Sequence, residues 1–410
     1  MDSTSLFYTI IGILIAQYVM DTFLDYLNAR FFLKKIPEEL NDVFDPKEYQ
    51  RAQGYHQENY RFGLLKDGLS LVVVLVFLVL GGFGIVDNFV RGFADNGILQ
   101  ALGFFGILSL GSGIISLPFS YYQTFSIEDK YGFNKTTRKT FFTDIVKGSL
   151  LSAALGGGIL ALIIWFLTWS GTHFWLYIWG VAIVFMVFMN LFYSKLLVPL
   201  FNKQTPLESG SLKSAIEHYS AKVGFDLKNI FVIDGSKRST KANAYFSGFG
   251  KQKRVTLYDT LINDLDEEEI VAVLAHEVGH YKRKHIVFNM LSSILLTGVT
   301  LYVLSLFINV PSLSLSIGVS QTSYHAGLLA FFLLYSPISL LTGLVMNYLS
   351  RKFEFQADDY AKTTFASNPL ISSLKKLSKN NLSNLTPHPA YVFVHYSHPP
   401  LIERIKNLKA

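Results

Sequence analysis

Only 16% of the 410 residues are charged, against about 25% in an ordinary soluble protein, and 50% are hydrophobic, so the composition indicates that lipid is part of the solvent. The net charge of +6 does not indicate nucleic-acid binding, because the basic residues lie between apolar runs. The absence of cysteine excludes disulfides, thiolate metal sites, a cysteine nucleophile and lipid attached to this chain.

Apolar segments long enough to span a bilayer follow one another along the chain. The first is the shortest, is extended by residues 21–32, and is expected to remain as an anchor because no basic signal-peptide region precedes it. The sequence therefore predicts a mainly α, polytopic membrane protein. The seven predicted transmembrane segments are 6–20, 69–86, 97–119, 148–169, 175–194, 286–308 and 326–350.

Lysine and arginine are concentrated in alternate connecting loops. The first, third and fifth loops and the C-terminal tail are rich in them, whereas the second loop has only Arg91, and the loops at 170–174 and 309–325 have none. By the positive-inside rule, the basic loops and the tail are cytoplasmic and the N-terminus is outside or lumenal.

The predicted domain organisation follows from these segments. Residues 1–200 hold transmembrane helices 1–5 with cytoplasmic loops 24–68 and 120–147, residues 286–350 hold helices 6 and 7, and 351–410 form a cytoplasmic tail. Residues 201–285 form a small cytoplasmic α+β domain. In this domain the sequence predicts a helix at 212–223, three strands at 229–233, 242–246 and 254–258, and a second helix beginning near Asp266. A glycine-bearing turn joins the last two strands.

That last helix contains His276-Glu277-Val278-Gly279-His280. Residues four apart lie on one helical face, so both imidazoles can bind one ion while Glu277 faces a water on that ion. A solvated surface helix is the alternative interpretation. The acidic run at 266–269 and the basic run at 282–285 complement the helix dipole, which favours a genuine helix that leads into the sixth span.

A catalytic zinc ion needs a third protein ligand and an open position for water. The chain next returns to the same membrane face at 351–358, where helical spacing puts Glu354 and Asp358 on one face. Glu354 is expected to bind the metal, and Asp358 to hold a histidine ligand by hydrogen bonding. The alternative interpretation is that Glu354 and Asp358 are ordinary acidic residues near lipid headgroups. The metal-site interpretation is favoured because the sixth and seventh spans form a hairpin, which brings their cytoplasmic ends close together.

At this point the sequence resembles the type I CAAX prenyl endopeptidases, integral-membrane zinc metalloproteases related to the HtpX proteases. The resemblance extends over nearly the whole chain. Besides the two metal-binding segments it rests on residues 127–136 (IEDKYGFNKT), 198–207 (VPLFNKQTPL), 232–239 (VIDGSKRS), 243–250 (NAYFSGFG), 258–261 (YDTL) and 397–404 (SHPPLIER).

The resemblance implies seven transmembrane helices around a large water-filled chamber, with a cytoplasmic zinc-peptidase domain at its end. It also implies one Zn²⁺ per chain, bound at the same site that the residue spacing predicts. The ligands are His276, His280 and Glu354, and Glu277 is the catalytic glutamate.

Three further residues enter the predicted site only through the resemblance, which implies that Asn243, His398 and Arg404 act in catalysis. From the residues alone, the first would be a turn residue, the second would precede a helix start, and the third would be a solvated charge. The resemblance also implies that a strand edge binds substrate. The residues of this edge are Asn243, Ala244, Tyr245 and Phe246.

The predicted function is hydrolysis of peptide bonds by a zinc-activated water, as in the removal of the C-terminal tripeptide of prenylated proteins. One alternative is a quality-control protease of HtpX type. A protease that cuts within the membrane is disfavoured because the motif has a charged flank outside its span. A transporter or lipid-handling protein with structural zinc needs a fourth ligand, for which only His285 or His398 is available.

The expected partners are a peptide or protein substrate, prenylated or not, and membrane lipid, with no nucleic acid. The membrane is the cytoplasmic membrane in a prokaryote and the endoplasmic reticulum in a eukaryote.

Overall fold

The computed structural model describes residues 2–32, 35–225, 227, 229–248 and 253–410. Its four strands are β1 (Gln204–Pro206), β2 (Ile230–Ile233), β3 (Ala244–Ser247) and β4 (Arg254–Tyr258). Its helices are α1 (Ser3–Phe31), α2 (Pro46–Val79), α3 (Gly82–Arg91), α4 (Gly97–Tyr122), α5 (Arg138–Ser170), α6 (Phe174–Leu196), α7 (Val198–Phe201), α8 (Ser211–Lys222), α9 (Asp259–Asp264), α10 (Glu267–Lys282), α11 (His285–Phe307), α12 (Pro311–Ser316), α13 (Tyr324–Thr364), α14 (Ser367–Asn380), α15 (Pro389–His395) and α16 (Leu401–Lys409).

Long apolar helices dominate the described chain. The segment 138–201 contains α5 and α6, which form a hairpin: the rings of Phe166 and Tyr177 stack near its turn, with centroids 5.4 Å apart. At the other end, Nζ of Lys147 donates a hydrogen bond to the carbonyl of Leu200 at 2.8 Å. Six segments of the described chain are long and apolar enough to cross a membrane: Ser3–Phe31, Pro46–Val79, Gly97–Glu128, Arg138–Phe201, His285–Phe307 and Tyr324–Thr364.

The prediction of one continuous apolar segment at 69–86 is wrong at its C-terminal end. Helix α2 ends at Val79, and the chain turns at Gly81, which has a left-handed φ of 68°. The next helix then packs closely, since a Cβ on Gly84 would lie 2.1 Å from the carbonyl oxygen of Gly318. An apolar run does not reveal this turn, because both sides of it are apolar; glycine adopts the left-handed conformation without the steric cost of a Cβ.

The strands form one sheet in the order β1-β2-β4-β3, in which β2 and β4 are parallel and the outer two strands are antiparallel to their neighbours. The prediction at 254–258 is confirmed, the one at 229–233 begins one residue early, and the one at 242–246 begins and ends too early. Strand β1 was not predicted, because three residues containing a proline give no periodic signal. Residues 249–252, in the predicted glycine-bearing turn, lie outside the described residues. So do residues 249–250 of the segment 243–250 on which the family resemblance partly rests.

One buried apolar cluster joins segments that are distant in sequence. It contains Leu40 and Tyr55 near α2, Leu257 of the sheet, Ala275 of α10 and Ile405 of α16. The cytoplasmic segments predicted from the charge pattern therefore pack around one core. That core holds α10, α14 and α16 beside the end of α13.

Candidate active site

Helix α10 is stabilised at its start and packed closely at its centre. The side chain of Asp266 accepts a hydrogen bond from the backbone of Glu269, and the Glu269 side chain accepts one from the backbone of Asp266. This capping box satisfies amide groups that a helix start leaves free. Near the middle, a Cβ on Gly279 would lie 3.0 Å from the Cα of Ala357, so glycine lets α10 lie directly against α13.

This close packing brings the two predicted halves of the metal site together. The Nε2 atoms of His276 and His280 lie 3.1 Å apart. Oε2 of Glu354 lies 3.4 Å from the first of these nitrogens, and Oε1 lies 3.2 Å from the second. One ligand atom from each residue lies within 4.8 Å of the others, and the expected His-His-Glu set is thus assembled.

The donor set fits a metal ion. The Nε2 atoms of the two imidazoles converge to 3.1 Å, and the buried Oε2 atom of Glu354 has no hydrogen-bond partner within hydrogen-bonding geometry among the described residues. Burial lowers the pKa of His276, but its contacts with the carboxylates of Asp358 and Glu354 outweigh burial and raise the pKa to about 9. These carboxylates therefore favour positive charge in the pocket, as expected of a site for a cation.

Asp358 and Arg404 lie directly behind the first histidine. Oδ1 of Asp358 is 2.8 Å from Nδ1 of His276, on the side of the ring opposite the cluster. The guanidinium of Arg404 pairs with both oxygens of Asp358, and its Nη1 lies 3.5 Å from Oε2 of Glu354. A carboxylate on Nδ1 fixes the imidazole with Nε2 toward a metal ion.

Glu277 lies one position beyond the first histidine on α10 and is partly buried. Burial raises the pKa of its carboxyl group, while the charges of His276 and His280 oppose that rise. A carboxylate whose pKa is raised toward neutrality is better able to accept and return a proton.

His398 approaches the cluster from the C-terminal tail. Its Nε2 lies 3.4 Å from Oε1 of Glu354, although its side chain is 65% exposed. Two residues of α13 hold the segment that leads to it: Nη1 of Arg351 donates hydrogen bonds to the carbonyls of Val392, at 3.1 Å, and Tyr396. Asn347 donates to the carbonyl of Val394 at 2.7 Å.

His285 has a contact that the sequence did not predict. Its Nδ1 lies 3.0 Å from Nδ1 of His280, its Nε2 lies 2.8 Å from Oε1 of Gln356, and its ring stacks on Phe353 at 4.2 Å. The left-handed backbone of Lys284, with φ of 60°, starts α11 in the direction that brings this ring behind His280. A histidine at the first position of a span, five residues after a candidate metal-binding histidine, was the available signal.

Asn243 and the strand that follows it lie beside α10. The ring of Phe246 contacts Tyr281, next to His280, with centroids 5.3 Å apart. Asn243 is exposed, and its Oδ1 accepts a hydrogen bond from the amide of Ala244. Among the described contacts none joins Asn243 to the histidine-glutamate cluster. Strand β3 does form an edge of the described sheet.

A membrane protein with this fold and an HExxH helix facing a distant glutamate has the parts of a membrane-embedded metallopeptidase. Residues 27–203 match the family described as CAAX prenyl protease N-terminal, five membrane helices, and residues 206–410 match peptidase family M48. The chain therefore belongs to peptidase family M48, whose members are metalloproteases. It is a metalloendopeptidase of the CAAX prenyl protease type.

Full-length relatives support the assignment. The chain is 37% identical to CAAX prenyl protease 1 homolog of Oryza sativa subsp. japonica, covering 97% of this chain and 95% of the relative. It is 35% identical to CAAX prenyl protease 1 of Saccharomyces cerevisiae, covering 97% and 94%. The crystal structure of S. mikatae Ste24p is similar with a TM-score of 0.94 and 34% identity, covering 99% of each chain.

Proposed function

We propose that this protein is a zinc endopeptidase that removes the C-terminal tripeptide from prenylated CAAX proteins. The observation that carries the proposal is the cluster of His276, His280 and Glu354, with Glu277 on the same helix. The relatives named CAAX prenyl protease 1 supply the substrate class.

In this proposal His276, His280 and Glu354 hold the zinc ion. When bound, zinc supplies Lewis acidity toward water and the scissile carbonyl. Glu277 accepts the proton of the attacking water and delivers it to the leaving nitrogen. His398 faces the oxygen of the scissile carbonyl as negative charge develops there, because its Nε2 lies beside the cluster and its side chain is exposed.

Arg404 and Asp358 hold the His276 ring in its orientation. Two nitrogens of the Arg404 guanidinium bind Asp358, so its charge is directed chiefly at that carboxylate. Asp358 in turn holds Nδ1 of His276. Arg404 thereby acts on the reaction mainly through a metal ligand, while its Nη1 adds positive charge beside Glu354.

Substrate binds as a further strand on the open edge of β3. The amide of Tyr258 donates to the carbonyl of Asn243, and Ala244 lies opposite Leu257. Along an antiparallel pair, residues whose main-chain groups hydrogen-bond to the partner strand alternate with residues whose groups point away from it. Asn243 is bonded to β4, so Phe246, three residues on, directs its main-chain N–H and C=O to the open edge. Main-chain pairing of this kind selects weakly for sequence, and the amide of Asn243 shapes the start of the edge.

The membrane arrangement in this proposal has seven crossings around a chamber, with the site at the cytoplasmic end and the N-terminus outside or lumenal. The hairpin of α5 and α6 supports two crossings within Arg138–Phe201. Most side chains in the most apolar windows of α1 and α2 are not buried within the protein, as expected of helices that face lipid or a chamber.

The decisive test uses a farnesylated CAAX peptide and the same peptide without the prenyl group. Glu277→Gln should retain zinc at the wild-type stoichiometry and lose hydrolysis by roughly 100- to 10,000-fold, because only proton transfer is removed. His280→Ala should lose zinc and hydrolysis together. Glu268→Gln, an exposed position on the same helix, is the matched control and should change neither.

Two results would contradict the proposal. Full turnover in zinc-loaded Glu277→Gln would remove Glu277 as the group that transfers the proton. Equal cleavage of the two peptides would remove prenylated proteins as the preferred substrate class.

A further inference from the structure

A cavity of about 640 Å³ lies where the α5–α6 hairpin meets the sheet, away from the histidine-glutamate cluster. Its wall includes the apolar side chains of Leu200, Phe201 and Phe231. The remaining wall is unusually basic. Five of its described lining residues are cationic: Lys147, Lys195, Lys203, Lys237 and Arg254.

The positive charge of this cavity is poorly balanced. Asp234 is the one acidic residue among the described lining residues. Its Oδ1 already accepts hydrogen bonds from Nδ2 of Asn202, at 2.9 Å, and from the backbone amide of Lys203, at 2.8 Å. Lys147, Lys203, Lys237 and Arg254 line the cavity with one engaged carboxylate among them, so they repel one another, and an anion placed among them relieves this repulsion.

Arg254 provides a second, independent indication of an anionic ligand. It is 7% exposed, and its buried Nε makes no hydrogen bond with any described group. Its guanidinium carbon lies 3.4 Å from the centre of the Phe231 ring, a cation–π contact that fixes the group on the cavity wall without giving the Nε–H donor an acceptor. A buried guanidinium normally has its donors paired, so this group has unused capacity for an acceptor.

From these observations we infer that the cavity is a binding site for a phosphate group, carried by an anionic membrane lipid or present as free phosphate. Arg254 offers a planar donor group from the sheet, and Lys203 and Lys237 offer charge from the loops beside it. The site is separate from the metal cluster and does not depend on the proposed peptidase function.

The position of the cavity favours a lipid headgroup as the source of the phosphate. Lys147 and Lys195 lie on α5 and α6 near the end of the hairpin where the chain leaves its apolar helices. Leu196 and Leu200, on the adjoining surface, are 52% and 47% exposed, as expected of side chains that contact acyl chains. A headgroup can therefore enter the cavity while its tails stay among apolar side chains.

The experiment measures binding to the purified full-length protein in detergent through the shift in its thermal unfolding temperature. The ligands are dioctanoyl phosphatidic acid, dioctanoyl glycerol, which has the same tails without phosphate, and inorganic phosphate. The double variant Lys203→Gln/Lys237→Gln removes two cavity charges. The matched control Lys139→Gln/Lys352→Gln removes two exposed charges on α5 and α13 that do not line the cavity.

Phosphatidic acid should raise the unfolding temperature of the wild type and of the control variant, whereas dioctanoyl glycerol should not. The cavity variant should bind it at least about tenfold more weakly, because each lysine near a phosphate adds favourable energy. Arg254→Met keeps the packing on Phe231 and should weaken binding similarly. Binding of inorganic phosphate at equal concentration, lost in the same variant, would identify free phosphate as the ligand.

Two outcomes would overturn the inference. One is equal affinity for phosphatidic acid in the cavity variant and in the control variant, which would show that any surface lysine suffices. The other is the absence of a shift with both phosphate ligands in the wild-type protein.

Discussion

The guanidinium group of Arg404 forms a two-point ion pair with Asp358, with Nη2 2.6 Å from Oδ1 and Nε 2.9 Å from Oδ2. The same Oδ1 lies 2.8 Å from Nδ1 of His276. A residue near the C-terminus is thus connected to a candidate metal ligand through one carboxylate. Because Asp358 is fully buried, its charge requires this partner.

This relationship predicts how Arg404 variants behave. Arg404→Ala should weaken zinc binding by roughly 10- to 100-fold and lower hydrolysis accordingly, because the partner that orients His276 is left unpaired. Arg404→Lys should rescue poorly, since an ammonium cannot reproduce the two-point contact. Competition with a zinc chelator measures the affinity. Unchanged zinc affinity with reduced kcat would instead place Arg404 directly at the reacting carbonyl.

A second prediction concerns Arg351, which holds the segment before His398. Arg351→Ala should lower kcat/KM by roughly 10- to 100-fold with zinc content unchanged, because a small displacement of a catalytic side chain is costly. In a His398→Ala background the same change should have little further effect. Steady-state kinetics of the wild type, the two single variants and the double variant give the coupling energy between Arg351 and His398.

Lys352→Ala, exposed on the same helix, is the control for this prediction, and Asn347→Ala tests the same segment if Arg351→Ala is unstable. Additive losses would separate Arg351 from His398.

A third prediction concerns the edge of β3. If substrate pairs with Phe246 through the main chain, single N-methylation along a substrate peptide should weaken cleavage at alternate positions, since every second amide faces the strand. The measurement is kcat/KM for each methylated peptide. A loss restricted to the scissile bond would indicate that the edge does not bind substrate.

The fourth prediction tests the orientation of the protein in the membrane. Because the chain contains no cysteine, a thiol reagent labels only the introduced residue. In sealed vesicles whose cytoplasmic face is outward, Lys409→Cys, exposed near the C-terminus, should react with a membrane-impermeant maleimide. Gln321→Cys, exposed in the segment before α13, should react only after permeabilisation. Labelling of Gln321→Cys in the sealed vesicles would reverse the proposed orientation.

The sequence predicted those parts of the site that depend on local periodicity. The start of α10 near Asp266 and the shared face of His276 and His280 follow from helical geometry, and both are present. The pairing of Glu354 with these residues also required the reasoning that two consecutive spans return to one face. The end of α2 at Val79 and the turn at Gly81 were missed, because the apolar run on both sides concealed the turn.

By itself, then, the sequence determined the apolar helices and the spacing of the candidate metal-binding residues, because hydrophobic periodicity and side-chain intervals are local properties. Only the tertiary structure decided that His285 lies behind His280, that Arg404 is directed at Asp358, and that the buried Nε atom of Arg254 has no hydrogen-bond partner among the described residues. Each of these depends on the packing of elements distant in the chain, where burial and the competition among several partners fix the direction of a polar group.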